Sequence, residues 1–194
     1  MDISIDTVKA LRDATGISIM QCKKALEEAG GDIEKAKIIL RKSGLASAAQ
    51  KADRKLGAGV AQAYVHAGNT TVGVVVLSCE TDFVAKNKEF VDLAYDIAMH
   101  VAAMAPEFIS REDVTDENVK AAREVFEKES KDKPENIRKK IVDGKMDDYL
   151  SEKVLLEQKF VKNPDLAVHD LVQEAVHKFG EKIAITNMAR LSVK

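Results

Sequence analysis

Residues 72–77 form an apolar, mostly β-branched run. Across residues 78–89 that pattern gives way to a second one, in which Phe90, Ala94, Ile97, Val101 and Met104 recur four and three apart. The first pattern suits a strand and the second gives one apolar seam along a helix. The switch of period forces a strand-to-helix junction at Cys79-Glu80-Thr81-Asp82-Phe83-Val84-Ala85-Lys86-Asn87. A large aromatic beside a carboxylate at such a junction projects well and packs poorly on its own side. That geometry suits a wedge pushed into a partner. A second reading makes Phe83 a core residue at a helix start, in register with Phe90, with Asp82 and Thr81 serving as a local helix cap.

The remaining elements arrange themselves around this junction. Residues 60–66 read as a strand turned by Ala67-Gly68-Asn69-Thr70-Thr71 into the 72–77 run, a β-hairpin by turn chemistry. Pro106 stops the long helix. Asp116 opens another through Val119, Ala122, Val125 and Phe126. Pro134 sits in the first turn of a third, with Ile137, Ile141 and Met146 on its apolar side and Gly144 at a kink or an end. Residues 154–161 read as a short extended segment, 166–179 as a helix ended by Gly180, and 183–193 as a final strand. Upstream, residues 3–45 read as three short helices. Ile5, Val8 and Leu11 share one face of the first, which Thr15-Gly16 closes. Ser18 caps the second, carrying Cys22, Ala25, Leu26 and Ala29, and Gly30-Gly31 breaks it. Asp32 caps the third, with Ile33, Ala36, Ile39 and Leu40 inward and Gly44 at its end. The expected fold is therefore α+β. A three-helix module occupies 1–45, a linker 46–59, and a core domain 60–194, in which a small antiparallel sheet packs on helices.

Composition excludes several function classes. With 45% hydrophobic and 32% charged residues the chain reads as globular. Residues 1–56 carry 11 Lys and Arg against 8 Asp and Glu, whereas the whole chain has a formal charge of −2. The basic surplus at Lys37, Arg41, Lys42, Lys51, Arg54 and Lys55 reads as a solvated helix face or as an RNA contact. The absence of Trp and an aromatic content of 5% argue against a base-stacking platform, so no direct nucleic-acid partner is expected. Cys22 and Cys79 have no metal or redox spacing, and His66, His100, His169 and His177 form no metal motif. Neither a P-loop nor a nucleophile signature is present. The expectation is a binding protein, not an enzyme, with no metal and no cofactor. The acidic start, the cysteine usage and the lack of a long apolar stretch point to a cytoplasmic protein with no membrane partner.

The junction motif Thr81-Asp82-Phe83-Val84 resembles the signature of the elongation factor Ts family. So do Thr15-Gly16, Met20-Gln21-Cys22-Lys23-Lys24-Ala25-Leu26, Gly31-Asp32-Ile33-Glu34-Lys35-Ala36 and Leu40-Arg41-Lys42-Ser43-Gly44. Ile97-Ala98-Met99-His100-Val101-Ala102 and Leu155-Leu156-Glu157-Gln158 follow in the family's order. The resemblance implies a ubiquitin-associated-like (UBA-like) fold for the N-terminal module. It also implies a guanine-nucleotide exchange factor in protein biosynthesis that promotes GDP release from elongation factor Tu. In that family the Asp-Phe pair intrudes near the Mg²⁺ side of the GTPase domain, a role that falls here to Asp82 and Phe83, flanked by Thr81 and Val84. Lys9, Arg12, Met20 and Lys23 match positions at or near a second contact with the same domain. Met20 suits a flexible apolar anchor, although a helical Met also suits a core. The family usually has two Met residues where this chain has Ile19-Met20. His100 matches an interface position and lies off the Phe90–Met104 seam, which favours exposure.

Long members of that family carry two related core halves. This chain has room for one, so it resembles the short form. A single half leaves sheet edge uncovered along 183–193, and a homodimer engaging two GTPase molecules is the expected assembly. The alternative function is a non-catalytic adaptor binding a peptide or ubiquitin-like surface through its N-terminal helices. In that reading Phe83 would belong to the core.

Overall fold

The computed structural model of the chain describes residues 3–193, apart from the side chains at 45 and 47–49. Three helices precede the first strand: α1 (Ile5–Thr15), α2 (Ile19–Glu28) and α3 (Ile33–Gln50). Local chemistry sets their ends. The Ser4 hydroxyl accepts the Thr7 N–H at 3.1 Å, and the Ser18 hydroxyl accepts that of Gln21 at 3.4 Å. Gly16, at φ 67°, closes α1 in the left-handed conformation, its N–H donating to the Arg12 carbonyl. The Asp32 carboxylate accepts the Lys35 N–H at 3.0 Å. Val8, Leu11, Ile17, Cys22, Ala25, Leu26, Ala36 and Leu40 form the buried core of this module.

The apolar face of α1 is only partly buried, and one expectation about α3 fails. Ile5 is 73% exposed, so the inward face of α1 is carried by Val8 and Leu11. Gly44 does not end α3, which continues to Gln50. The glycine is buried, and a Cβ at its position would lie 3.3 Å from Nδ1 of His177. It is there for close approach to that imidazole, and a glycine used for approach looks the same in sequence as one used to stop a helix.

Strands β1 (Ala58–Val65) and β2 (Thr71–Cys79) form the expected hairpin, with Gly68 and Asn69 at positive φ in its turn. β2 lies between β1 and the last strand, β5 (Ala184–Ser192). Thr71 at the start of β2 meets Ser192 at the end of β5, and Val76 near the end of β2 meets Thr186, so this pair is antiparallel too. The one-turn helix α4 (Asp82–Ala85) and the long α5 (Lys88–Met104) follow β2. Helices α6 (Asp116–Glu129) and α7 (Glu135–Lys153) come next. α7 does not end at Gly144 but continues to Lys153.

Residues 154–161 are not one extended segment. A 3-10 turn, Leu155–Glu157, precedes β3 (Lys159–Phe160), which pairs antiparallel with β4 (Asn163–Ala167) before α8 (Val168–Phe179) begins. β4 has little β propensity. It is a strand because it pairs with β3, a tertiary fact that no local pattern carries.

The chain divides into two compact units. One comprises the chain through Val60, Leu77–Asp92 and Asp170–Ala184. The other comprises Ala61–Val76, Leu93–His169 and the chain from Ile185. In the second unit β2 packs closely on α5, and a Cβ on Gly73 would lie 2.2 Å from the Ala98 carbonyl oxygen.

Candidate partner-binding site

All of the motif and the N-terminal module lie in the first unit. At the end of β2, Cys79 is buried and Glu80 half-buried, and the chain then turns outward. Thr81 is extended (φ −123°, ψ 156°) and its carbonyl accepts the Ala85 N–H at 3.2 Å, which closes the single turn of α4. Consecutive helical residues point about 100° apart, so within this single turn Phe83 and Val84 face different ways. Val84 is buried, whereas Phe83 is 85% exposed. The core reading of Phe83 is thereby excluded. A free Phe forgoes about 1.5–3 kcal/mol of burial, which stays available to a partner.

Asp82 does not act as the expected cap. It lies inside the first turn, and Thr81 makes no side-chain capping bond. The Asp82 carboxylate instead pairs with Lys86 at 2.6 Å, both side chains being largely exposed. That hydrogen bond, more than any other influence, holds the Asp82 carboxyl below the usual range. Asp82 is thus an anion beside an exposed ring. The Cys79 thiol is pushed up, chiefly by burial, so it is no ready nucleophile.

On the module, Ile5, Lys9 and Arg12 fall at four- and three-residue spacing on α1, and all are exposed. Ile19, Met20 and Lys23 are exposed on α2, Met20 at 82%. The core reading of Met20 fails with that number. Ile5 was missed as a surface residue, and its spacing to Lys9 and Arg12 was the available signal. Two of the basic groups meet exposed partners: Arg12 meets Asp13 at 3.3 Å and Lys23 meets Glu27 at 3.8 Å. Such pairs contribute little and yield readily to a better one.

His100, in the second unit, is not exposed. It is fully buried on α5, with Nε2 2.9 Å from Oε1 of Gln158, and its Nδ1 accepts the Val161 N–H at 3.2 Å. The helix is buried over more than one seam, because Ala98, His100 and Ala102 are covered as well.

Residues 48–194 match the family model described as Elongation factor TS. The chain belongs to the elongation factor Ts family. It is 48% identical to Elongation factor Ts of Herpetosiphon aurantiacus, over 100% of this chain and 98% of that protein. Elongation factor Ts of Thermosipho melanesiensis is also 48% identical, over 98% of each chain. The Thermotoga maritima relative is 46% identical over 100% of this chain and 97% of its own length. This elongation factor Ts family member is thus similar along its whole length to translation elongation factors. Among its described residues no helix is long and apolar enough to cross a membrane.

Proposed function

We propose that this protein is a guanine-nucleotide exchange factor that promotes GDP release from elongation factor Tu in the cytoplasm, by binding alone and with no chemistry of its own. The observation that carries the reading is Phe83, a phenyl ring presented almost entirely to solvent beside the charged Asp82. A GTPase holds its nucleotide partly through Mg²⁺, which requires near-ideal octahedral oxygen geometry. A ring pushed against the loops that carry those ligands weakens the ion and the phosphates together. By linkage, a protein that prefers the nucleotide-free partner lowers nucleotide affinity by the same factor.

Four decades of affinity require about 5.5 kcal/mol of differential binding. One buried Phe contributes about 1.5–3 kcal/mol, so a second contact is needed. The exposed faces of α1 and α2 provide it, with Ile5, Ile19 and Met20 as apolar anchors and Lys9, Arg12 and Lys23 as basic neighbours. His100 enters as a buried support of residues 158–161, not as a direct contact. The active form is a homodimer joined along β5, whose far half is exposed.

Stopped-flow release of fluorescent GDP from elongation factor Tu tests this. The wild type accelerates release, and Phe83→Ala, folded as judged by its melting curve, slows that acceleration at least tenfold. A Phe83→Ala protein that exchanges at the wild-type rate removes the wedge. One that unfolds restores the adaptor reading.

A further inference from the structure

The single turn that carries Phe83 cannot hold itself in place. Four helical residues fall far short of a self-sustaining helix, and Thr81 makes no capping bond to it. Yet the backbone just before Asp82 is fixed, and the side chain that fixes it comes from the distant loop after α8. Gly180, at φ 72°, turns the chain there and Glu181 follows.

The Glu181 carboxylate takes three hydrogen bonds from the junction. Its Oε2 accepts the N–H groups of Glu80 and Thr81, each at 3.0 Å, and its Oε1 accepts the Thr81 hydroxyl at 2.6 Å. The arrangement is reciprocal. Oε1 of Glu80 accepts the Lys182 N–H at 2.5 Å and the Arg54 guanidinium at 3.2 Å. Two carboxylates from segments about a hundred residues apart therefore each grip the other's backbone. Thr81 gives its hydroxyl to Glu181 and none to the helix, so the junction is held from outside. The Lys182 ammonium donates to the Ala52 carbonyl, which ties the same loop to the segment after α3.

We infer that Glu181 is a positioning residue for exchange: with Glu80 it forms a crossed carboxylate clamp that fixes the peptide groups before Asp82 and so aims the Phe83 ring. This rests on the wedge reading above and names what makes the wedge stiff. A ring on a loose loop spends binding energy on being ordered, whereas a ring already aimed applies it to the partner. Glu181 touches no partner in this account. It acts through Thr81 on Phe83.

The test uses the full chain as Glu181→Ala, Glu181→Gln and Phe83→Ala, with two readouts. The first is amide hydrogen exchange at Glu80 and Thr81 in the free protein. The second is the maximal rate and half-saturating concentration for GDP release from elongation factor Tu. Glu181→Ala should speed exchange of those two amides at least tenfold. It should lower the maximal release rate about tenfold, as expected when two or three charge-assisted bonds that orient a group are lost. The half-saturating concentration should change less than about twofold, because the α1 and α2 contacts remain. Glu181→Gln keeps one acceptor oxygen and should fall between Ala and wild type in both readouts. It also reports on the clamp should the Ala variant melt early. Unchanged amides in Glu181→Ala overturn the clamp, and freed amides with an unchanged release rate overturn its role in exchange. If Phe83→Ala promotes GDP release normally while the Glu80 and Thr81 amides loosen in Glu181→Ala, the wedge has failed and the clamp is merely structural.

Discussion

Phe83 and His100 were both read as partner-facing, and their surroundings divide them. Removing the Phe83 ring leaves no cavity, since the ring touches mostly water. Phe83→Ala should therefore keep its unfolding free energy within about 0.5 kcal/mol, as chemical denaturation would show. His100 is the opposite case. Gln158 donates its amide to the Glu152 carbonyl, which leaves Oε1 as the acceptor for Nε2–H, while Nδ1 accepts from Val161. The ring is thus held as the neutral Nε2–H tautomer. A proton added at Nδ1 would face the Val161 N–H with no acceptor between them. Burial also pushes the His100 imidazole below its ordinary value, and burial does the same for His177. The sign follows. With folded values depressed, the associated stability is intact above the unfolded value near 6.5. It is lost as pH falls from there through the folded values, because the unfolded chain takes up protons that the native one refuses. Urea midpoints should drop between pH 7.5 and pH 5.5. His100→Ala should cost about 2–4 kcal/mol at neutral pH, since it strands buried partners and opens a cavity. It should also flatten that pH slope.

At the scale of elements, glycines and caps decide how closely things approach. A Cβ on Gly73 would meet the Ala98 carbonyl oxygen at 2.2 Å and the Ala102 amide nitrogen at 2.7 Å, both backbone atoms of α5. Neither can swing aside as a side chain would. Gly73→Ala should cost about 1–3 kcal/mol or more, read as a lowered melting temperature, with the helical circular dichroism of the folded state retained. A glycine inside an apolar β run was a visible signal of such an approach. The strand of 72–77, the hairpin turn and the Phe90–Val101 seam were legible for the same reason: each is a local period or a local turn preference. What was not legible depends on contacts distant in sequence. Gly44 reads as a terminator until His177 is seen beside it. Ile5 reads as core because its spacing to Val8 and Leu11 is helical, but α1 buries a narrower stripe than that spacing allows. His100 reads as exposed because one seam was counted where α5 is covered more broadly. Within the site, Phe83 and Asp82 were legible from their junction, whereas Glu181 had no pattern to announce it, being about a hundred residues from the backbone it grips.

On the scale of the whole molecule, the question is what covers the sheet. β2 is paired on both sides, so β1 and β5 are its edges. They differ in how their own chain treats them. Along β1 half-buried and exposed positions alternate, as expected for a strand with one covered face. Along β5 the alternation ends after Ile185, and residues 189–193 are exposed at consecutive positions, hence on both faces. Leu191 at 66% and Val193 at 77% are among them. Yet the backbone is held to its end, since the Val193 N–H donates to the Thr70 carbonyl at 2.9 Å. An ordered edge with bare apolar side chains, Leu191 and Val193 two apart on one face, is a template for pairing. A second copy satisfies it in a way that closes, because a two-fold contact sets each β5 against itself. Light scattering at micromolar concentration should therefore give twice the mass of one chain. Leu191→Lys combined with Val193→Lys should halve that mass, because symmetry opposes each new charge to its own copy while neither side chain is buried in the single chain. If each chain carries its own wedge and clamp, the monomeric variant should still release GDP when assayed per chain. A wild type with the mass of one chain would leave β5 an unpaired edge and remove the dimer from the proposed function, with the wedge untouched.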